Sequence, residues 1–248
     1  MSLSIFVRGV LVTADKNAKI YYKKAPVIIF GLLFPLFMFI SFYLGREIDI
    51  VAFFPGFLAM TLFFTASALG PLITPWEKQA GTYERLLSYP VTVGTILAGD
   101  ALASLVFGTA LTSVVLVVGL AFLGAAVTNA ALAVIALFLG SACFAGMGVL
   151  LASTSSRTPS NVMMLSSLIR FPLIFVSGVF VPLSQLDGTV LFVSYASPLT
   201  YLVDLFNVGL GGTSTFPAWL DILVLALYTT GFMVAANALH RRSLAKGN

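Results

Sequence analysis

Six predominantly apolar runs, at about 26–44, 51–73, 95–123, 130–151, 162–181 and 218–239, alternate with short polar stretches along the chain. Roughly 20 apolar residues in a helix rising about 1.5 Å per residue match a hydrocarbon core about 30 Å thick. The runs are too long for the alternating segments of a membrane barrel, and a backbone in lipid must satisfy its own hydrogen bonds. The pattern therefore predicts an all-α integral membrane bundle of six transmembrane helices. Residues 1–24 read differently: Arg8, Asp15, Lys19 and Lys23 recur at helical spacing, with Ile5, Phe6, Val10, Leu11, Ile20 and Tyr21 between them. This predicts an amphipathic helix lying in the cytoplasmic interface before the chain turns into the first span at Pro26. One transmembrane domain results: interfacial helix 1–24, six-span bundle 25–240 and cytoplasmic tail 241–248.

Two connections break the pattern. Residues 182–217 are too apolar for a solvated loop, yet Pro182, Pro198, Gly209, Gly211, Gly212 and Pro217 leave no unbroken span. Short re-entrant helices packed on protein are the expected solution. The second connection reads EKQAGTYERLLSYPVT over 77–92. There Tyr83, Leu86 and Leu87 share one helical face and Glu84 and Ser88 another, Pro90 ends the helix around Tyr89, and Thr92 is placed to N-cap the next helix.

Composition agrees with the pattern: 59% of residues are hydrophobic, 9% are charged and the mean hydropathy is +1.05, whereas soluble domains carry about 25% charged residues. Charge then sets the orientation. Arg8, Lys16, Lys19, Lys23, Lys24, Lys78, Arg85, Arg157, Arg241, Arg242 and Lys246 fall on the side shared by both termini, against Arg46 alone opposite. That asymmetry places both termini in the cytoplasm, with Glu47, Asp49 and Asp187 outside, in a cell-membrane protein. The net charge of +4 is thus a topology signal and gives no nucleic-acid partner, because the basic residues lack aromatic interleaving along a groove. The first 24 residues are too charged for a cleavable signal peptide, so the first span is expected to anchor itself. Cys143 is the single cysteine, which excludes an internal disulfide and a cysteine-clustered metal site.

Enzyme signatures are absent. His240 is the only histidine and is expected, with Arg241 and Arg242, as a basic cap facing lipid phosphates at the end of the last span. No HExxH, GxSxG or GxxxxGK[ST] motif occurs, so no catalytic, metal or cofactor residue is assigned and any ATP must be handled by another chain. Two intramembrane ionisable residues invite a functional reading. Asp100 and Arg170 are expected at similar depths, where they either pair or line a polar cavity together; alternatively, Asp100 sits near the interface and Arg170 snorkels or caps a carbonyl. Ala142, Gly146 and Gly178 are expected at close helix contacts, and Pro35, Pro55, Pro71 and Pro172 at kinks.

Two segments resemble a family. Glu77, Gly81-Thr-Tyr-Glu84, Leu86-Leu87, Pro90-Val-Thr92, Ile96-Leu97 and Gly99 are similar to the "E…GT-x-E-x-L…P-[VL]-[ST]…IL-x-G" segment of type-2 ABC exporter permeases. Phe171-Pro172, Val176-Ser-Gly178-Val-Phe-Val-Pro182, Leu186, Pro198-Leu-Thr-Tyr201 and Asp204 resemble that family's signature around the fifth span. The resemblance implies a permease that pairs with a second copy or a related permease and with two ABC ATPase subunits, which supply ATP and Mg. It also implies that Gly81, Thr82, Tyr83, Glu84, Arg85, Leu86, Leu87, Tyr89 and Pro90 form a coupling helix received by the ATPase. The chain departs from the family at Asp100, where many members carry a basic residue, and at Asn207, where arginine is frequent. The cargo implied is hydrophobic or amphipathic, drug-like or lipid-like, and moved outward. A polysaccharide or glycolipid exporter is the nearest rival, and a non-transporting scaffold or channel subunit is the rival of a different class.

Overall fold

The computed structural model describes residues 3–44, 50–89, 91–153, 158–181, 183–186 and 188–245. Among these the regular elements are all helical. Helix α1 (Leu3–Tyr21) precedes α2 (Ala25–Ile28), a π-helical stretch (Ile29–Leu33) and α3 (Phe34–Tyr43), which follow one another without a gap. Then come α4 (Ile50–Ala68), α5 (Gly70–Gln79), α6 (Thr82–Leu87), α7 (Val93–Phe122), α8 (Ala130–Ala152) and α9 (Pro159–Val176). A 3₁₀ turn (Leu183–Gln185), α10 (Gly188–Tyr195), α11 (Pro198–Leu210) and α12 (Ala218–Ala245) complete the order. The readings placed on Arg46, Glu47, Asp49, Pro90, Arg157, Pro182, Asp187 and Lys246 lie outside the described residues.

Five helical stretches are long and apolar enough to cross a membrane: Val51–Gln79, Val93–Phe122, Ala130–Ala152, Pro159–Val176 and Ala218–Arg242. Two bent pairs, α1 with Ala25–Ser41 at 90° and α10 with α11 at 82°, raise the possible number to seven. The protein is a multi-pass membrane protein. Apolar runs located its helices but not their ends. The run predicted over 51–73 continues to Gln79, because the polar residues of α5 find partners inside the protein. The run predicted over 162–181 starts at Pro159 and stops at Val176. Gly178, expected at a close helix contact, instead turns the chain beyond α9 with φ +76°, a conformation L side chains rarely adopt.

Helix α4 is hydrophobic all round and lies at the centre, with Phe54, Leu58, Met60, Leu62, Phe63 and Phe64 buried among α7, α8 and α11. Phe63 meets Phe144 of α8 edge-on at 4.9 Å, and Phe34 of α3 sits 4.6 Å from Phe64. The phenylalanines of α3 and α4 are thus largely core, whereas Phe37 is 62% exposed. The crossing of α8 over the α4–α5 junction rests on neither Ala142 nor Gly146. A Cβ on Gly70 would stand 2.2 Å from the backbone of Gly148, and one on Gly148 would stand 2.9 Å from the Ser67 carbonyl oxygen. Helix α8 therefore passes the α4–α5 junction backbone against backbone. Gly146 makes ordinary contact with Phe232 and Met233 of α12.

Candidate functional site

The polar residues of the chain gather at the end of the bundle where α1, α5, α6 and α7 meet. Helix α1 lies along α7 through a seam of small side chains: a Cβ on Gly99 would fall 2.5 Å from Thr13 Cβ, and one on Gly9 would fall 2.7 Å from Thr95 Cγ2. That close approach delivers two polar side chains of α1 into the protein. Lys16 forms an ion pair with Glu77 of α5, and Asn17 Nδ2 donates to Asp100 Oδ1 at 2.6 Å. Thr74 Oγ1 lies 3.4 Å from the other oxygen of Asp100. Asn17, Glu77 and Asp100 are all buried, so each needs these partners to offset its lost hydration.

Aromatic residues close the same junction. The Tyr21 ring stacks on Trp76 at 5.7 Å, and Lys24 Nζ stands 5.5 Å from the Trp76 ring centroid. Tyr22 donates its hydroxyl to the Ala103 carbonyl at 2.6 Å, and burial pushes that hydroxyl's pKa up to about 12. From sequence, Lys16 counted only as a topology charge and Tyr21 only as an apolar position of the first helix, and Asn17, Thr74 and Trp76 were not singled out. The available signal was an asparagine and a lysine on the flank of an amphipathic helix, which an exposed position explains equally well.

Helix α6 hangs from this cluster. Gly81 enters it in the left-handed conformation, φ +66°, and Thr82 Oγ1 donates to the Glu77 carbonyl at 3.2 Å. Tyr83, expected to share one helical face with Leu86 and Leu87, is buried in the protein's own interior. Burial raises its hydroxyl pKa above the ordinary value, and the negative charges of Asp100, Glu77 and Glu84 add to the rise. Leu86 and Leu87 flank it half-buried, while Gly81, Thr82, Glu84, Arg85, Ser88 and Tyr89 are exposed. The helix ends at Leu87, and Thr92 caps α7 by accepting the Thr95 N–H at 3.2 Å.

The structure does not bring Asp100 and Arg170 together. Asp100 is held by α1 and α5, and Arg170 of α9 donates to the Ser67 carbonyl at the α4–α5 junction. The cause lies in the sequence. In a continuous helix the N–H of residue 71 would bond the carbonyl of residue 67, but Pro71 has no N–H to give. The guanidinium takes the place of the missing donor. His240, expected to face lipid phosphates, is also corrected: it is 1% exposed on α12, which packs along α8, while Arg241 and Arg242 are exposed.

Lys16→Met should destabilise the protein by about 2 kcal/mol, because it leaves the Glu77 carboxylate buried without a cation. Thermal unfolding in detergent checks this, with Glu77→Gln added to the same background. The double variant should recover part of the loss; strict additivity would remove the pair's assigned role.

Residues 8–210 match the family model described as ABC-2 type transporter. No curated protein matches the chain.

Proposed function

The chain belongs to the ABC-2 type transporter family, and we propose that it is the permease subunit of an ATP-driven exporter whose ATP is hydrolysed by a separate ABC ATPase. Family membership implies association with such an ATPase. The finer reading has two ATPase copies supplying ATP and Mg, a second permease completing the pathway, and hydrophobic or amphipathic cargo moving outward through the cell membrane. In the six-span topology that goes with it, α2 to α3 is the first span, α1 lies in the cytoplasmic interface, α10 and α11 re-enter from outside, and both termini are cytoplasmic.

One observation carries this reading. Helix α6 presents Glu84, Arg85, Ser88 and Tyr89 outward, while Tyr83 and the Thr82 bond to Glu77 fasten it to the bundle. A short helix rooted this way transmits force; one hanging on a flexible loop would absorb it. Motion of α6 passes through Glu77 and Lys16 to α1 and through Asn17 to Asp100 of α7, reaching the starts of two membrane-crossing segments. A channel would instead need a recurring polar lining along a span. Co-expression with an ABC ATPase from the same organism should yield a complex whose ATP hydrolysis responds to hydrophobic cargo after reconstitution. A permease that inserts and folds but never retains an ATPase would overturn the reading.

A further inference from the structure

The opposite end of the bundle holds a cavity of about 630 Å³, within the range of pockets that enclose drug-sized molecules. Its walls come from three places: the start of α4 (Ala52, Phe53, Gly56), the turn beyond α9 (Gly178, Val179, Phe180), and one face of α11 with the loop after it. The sequence builds these walls rigidly. Ser197 caps α11 by accepting the Leu199 N–H, and its hydroxyl lies 2.8 Å from that of Ser177. Gly211 ends α11 at φ +84°. The Thr128 and Asn129 N–H groups both donate to the Gly209 carbonyl at 3.0 Å. Gly56 permits the α4 backbone to approach Val179, since a Cβ there would stand 2.8 Å from the Val179 carbonyl oxygen.

Two features of the lining select a ligand. Phe53 and Phe180 stack with centroids 6.3 Å apart and planes 21° from parallel, which gives the cavity an aromatic wall. Asp204 is the one ionisable residue among the lining residues. It accepts the Thr215 and Phe216 N–H groups at 2.8 and 2.9 Å and lies 3.2 Å from the Ser214 hydroxyl. These neighbours are neutral, so they fix the carboxylate in place without cancelling a negative charge. Asp221 of α12 is buried close to Asp204. Among the described residues no lysine, arginine or histidine lies on this side of the bundle.

We infer that this cavity binds a hydrophobic cation, a bulky apolar molecule carrying one delocalised positive charge. The aromatic faces attract such a charge through their quadrupoles, the apolar walls accept its body, and Asp204 supplies the counter-charge. Among the lining residues, an apolar anion of the same shape meets the Asp204 carboxylate and no cation. Binding belongs to this chain alone; its meaning as cargo recognition rests on the exporter reading above.

The test uses two ions of matched shape and opposite charge, tetraphenylphosphonium and tetraphenylborate. Binding to the full-length permease in nanodiscs is measured by equilibrium dialysis against empty nanodiscs. Wild-type protein should bind the phosphonium, and Asp204→Asn should weaken it about tenfold with no loss for the borate. Asn207→Asp, which adds a carboxylate to the same lining without touching the Asp204 clamp, should strengthen phosphonium binding several-fold and decides the matter should Asp204→Asn fail to fold. Phosphonium binding that is absent, or that neither variant moves, would overturn the inference. If the ATPase assembles and works while the phosphonium does not bind, only this inference falls; if the phosphonium binds but no ATPase is ever retained, the exporter reading falls and the site stands.

Discussion

Aspartate at both Leu86 and Leu87 should lower ATP-driven transport by about tenfold or more, the equivalent of at least about 1.4 kcal/mol of lost coupling, while the permease still inserts and dimerises. The two leucines flank buried Tyr83 and are themselves only half-buried. Each therefore retains apolar surface that the permease does not cover, on a helix whose outer residues are charged or polar. In the proposed complex that surface enters an apolar groove on the ATPase, where a carboxylate without a partner is costly. Because half of each side chain also packs inward, part of any loss could come from the permease itself. Arg85→Glu separates the two effects, since Arg85 is exposed and reversing its charge disturbs only an outside partner. Reduced cargo-stimulated ATP hydrolysis in Arg85→Glu with unchanged thermal stability places the defect at the docking surface. Full transport by both variants would remove α6 from the coupling role.

The helices of this protein were legible because lipid solvation writes them plainly: every crossing segment is a long apolar run, and the left-handed Gly81, the Thr92 cap and the Pro198 start stand at the positions their residue types demand. What could not be read was the pairing of the few polar residues. Asp100 and Arg170 read equally as partners or as separate groups with Arg170 capping a carbonyl, because depth is all that a linear sequence gives. Azimuth decided for the second, with Arg170 on the Ser67 carbonyl. Asp100 faces the α1 seam opened by Gly9 and Gly99, and α1 lies outside the six long apolar runs, so a count of those runs cannot place it. The burial of Tyr83 was not legible for a related reason, since an amphipathic pattern defines an apolar face without saying whether the chain itself or a partner covers it. At the opposite end of the bundle, Asp204 matched a family motif, but its cavity is assembled from α4, the turn beyond α9 and α11, which lie far apart in the sequence.

Arg170 yields the sharpest structural test, because its role follows from a proline on another helix. Arg170→Met should destabilise the permease by about 2 to 3 kcal/mol, since it strips the buried Ser67 carbonyl of its charged donor where no water replaces it. The backbone through the junction stays close to helical: Leu69 has φ −74° and ψ −43°, and Ile73 N–H still donates to the Leu69 carbonyl at 3.0 Å. Pro71→Ala would therefore restore an N–H aimed at Ser67, and the double variant should lose markedly less stability than Arg170→Met alone. Thermal unfolding of the four proteins in detergent reads this as a coupling between residues 71 and 170. A pair with no functional role would leave transport by the double variant at the wild-type level. If stability returns and transport does not, the break at Pro71 serves motion: a junction bonded through a side chain can open, whereas a continuous backbone ladder resists. Equal losses in the single and double variants would show that Arg170 does not substitute for the missing N–H.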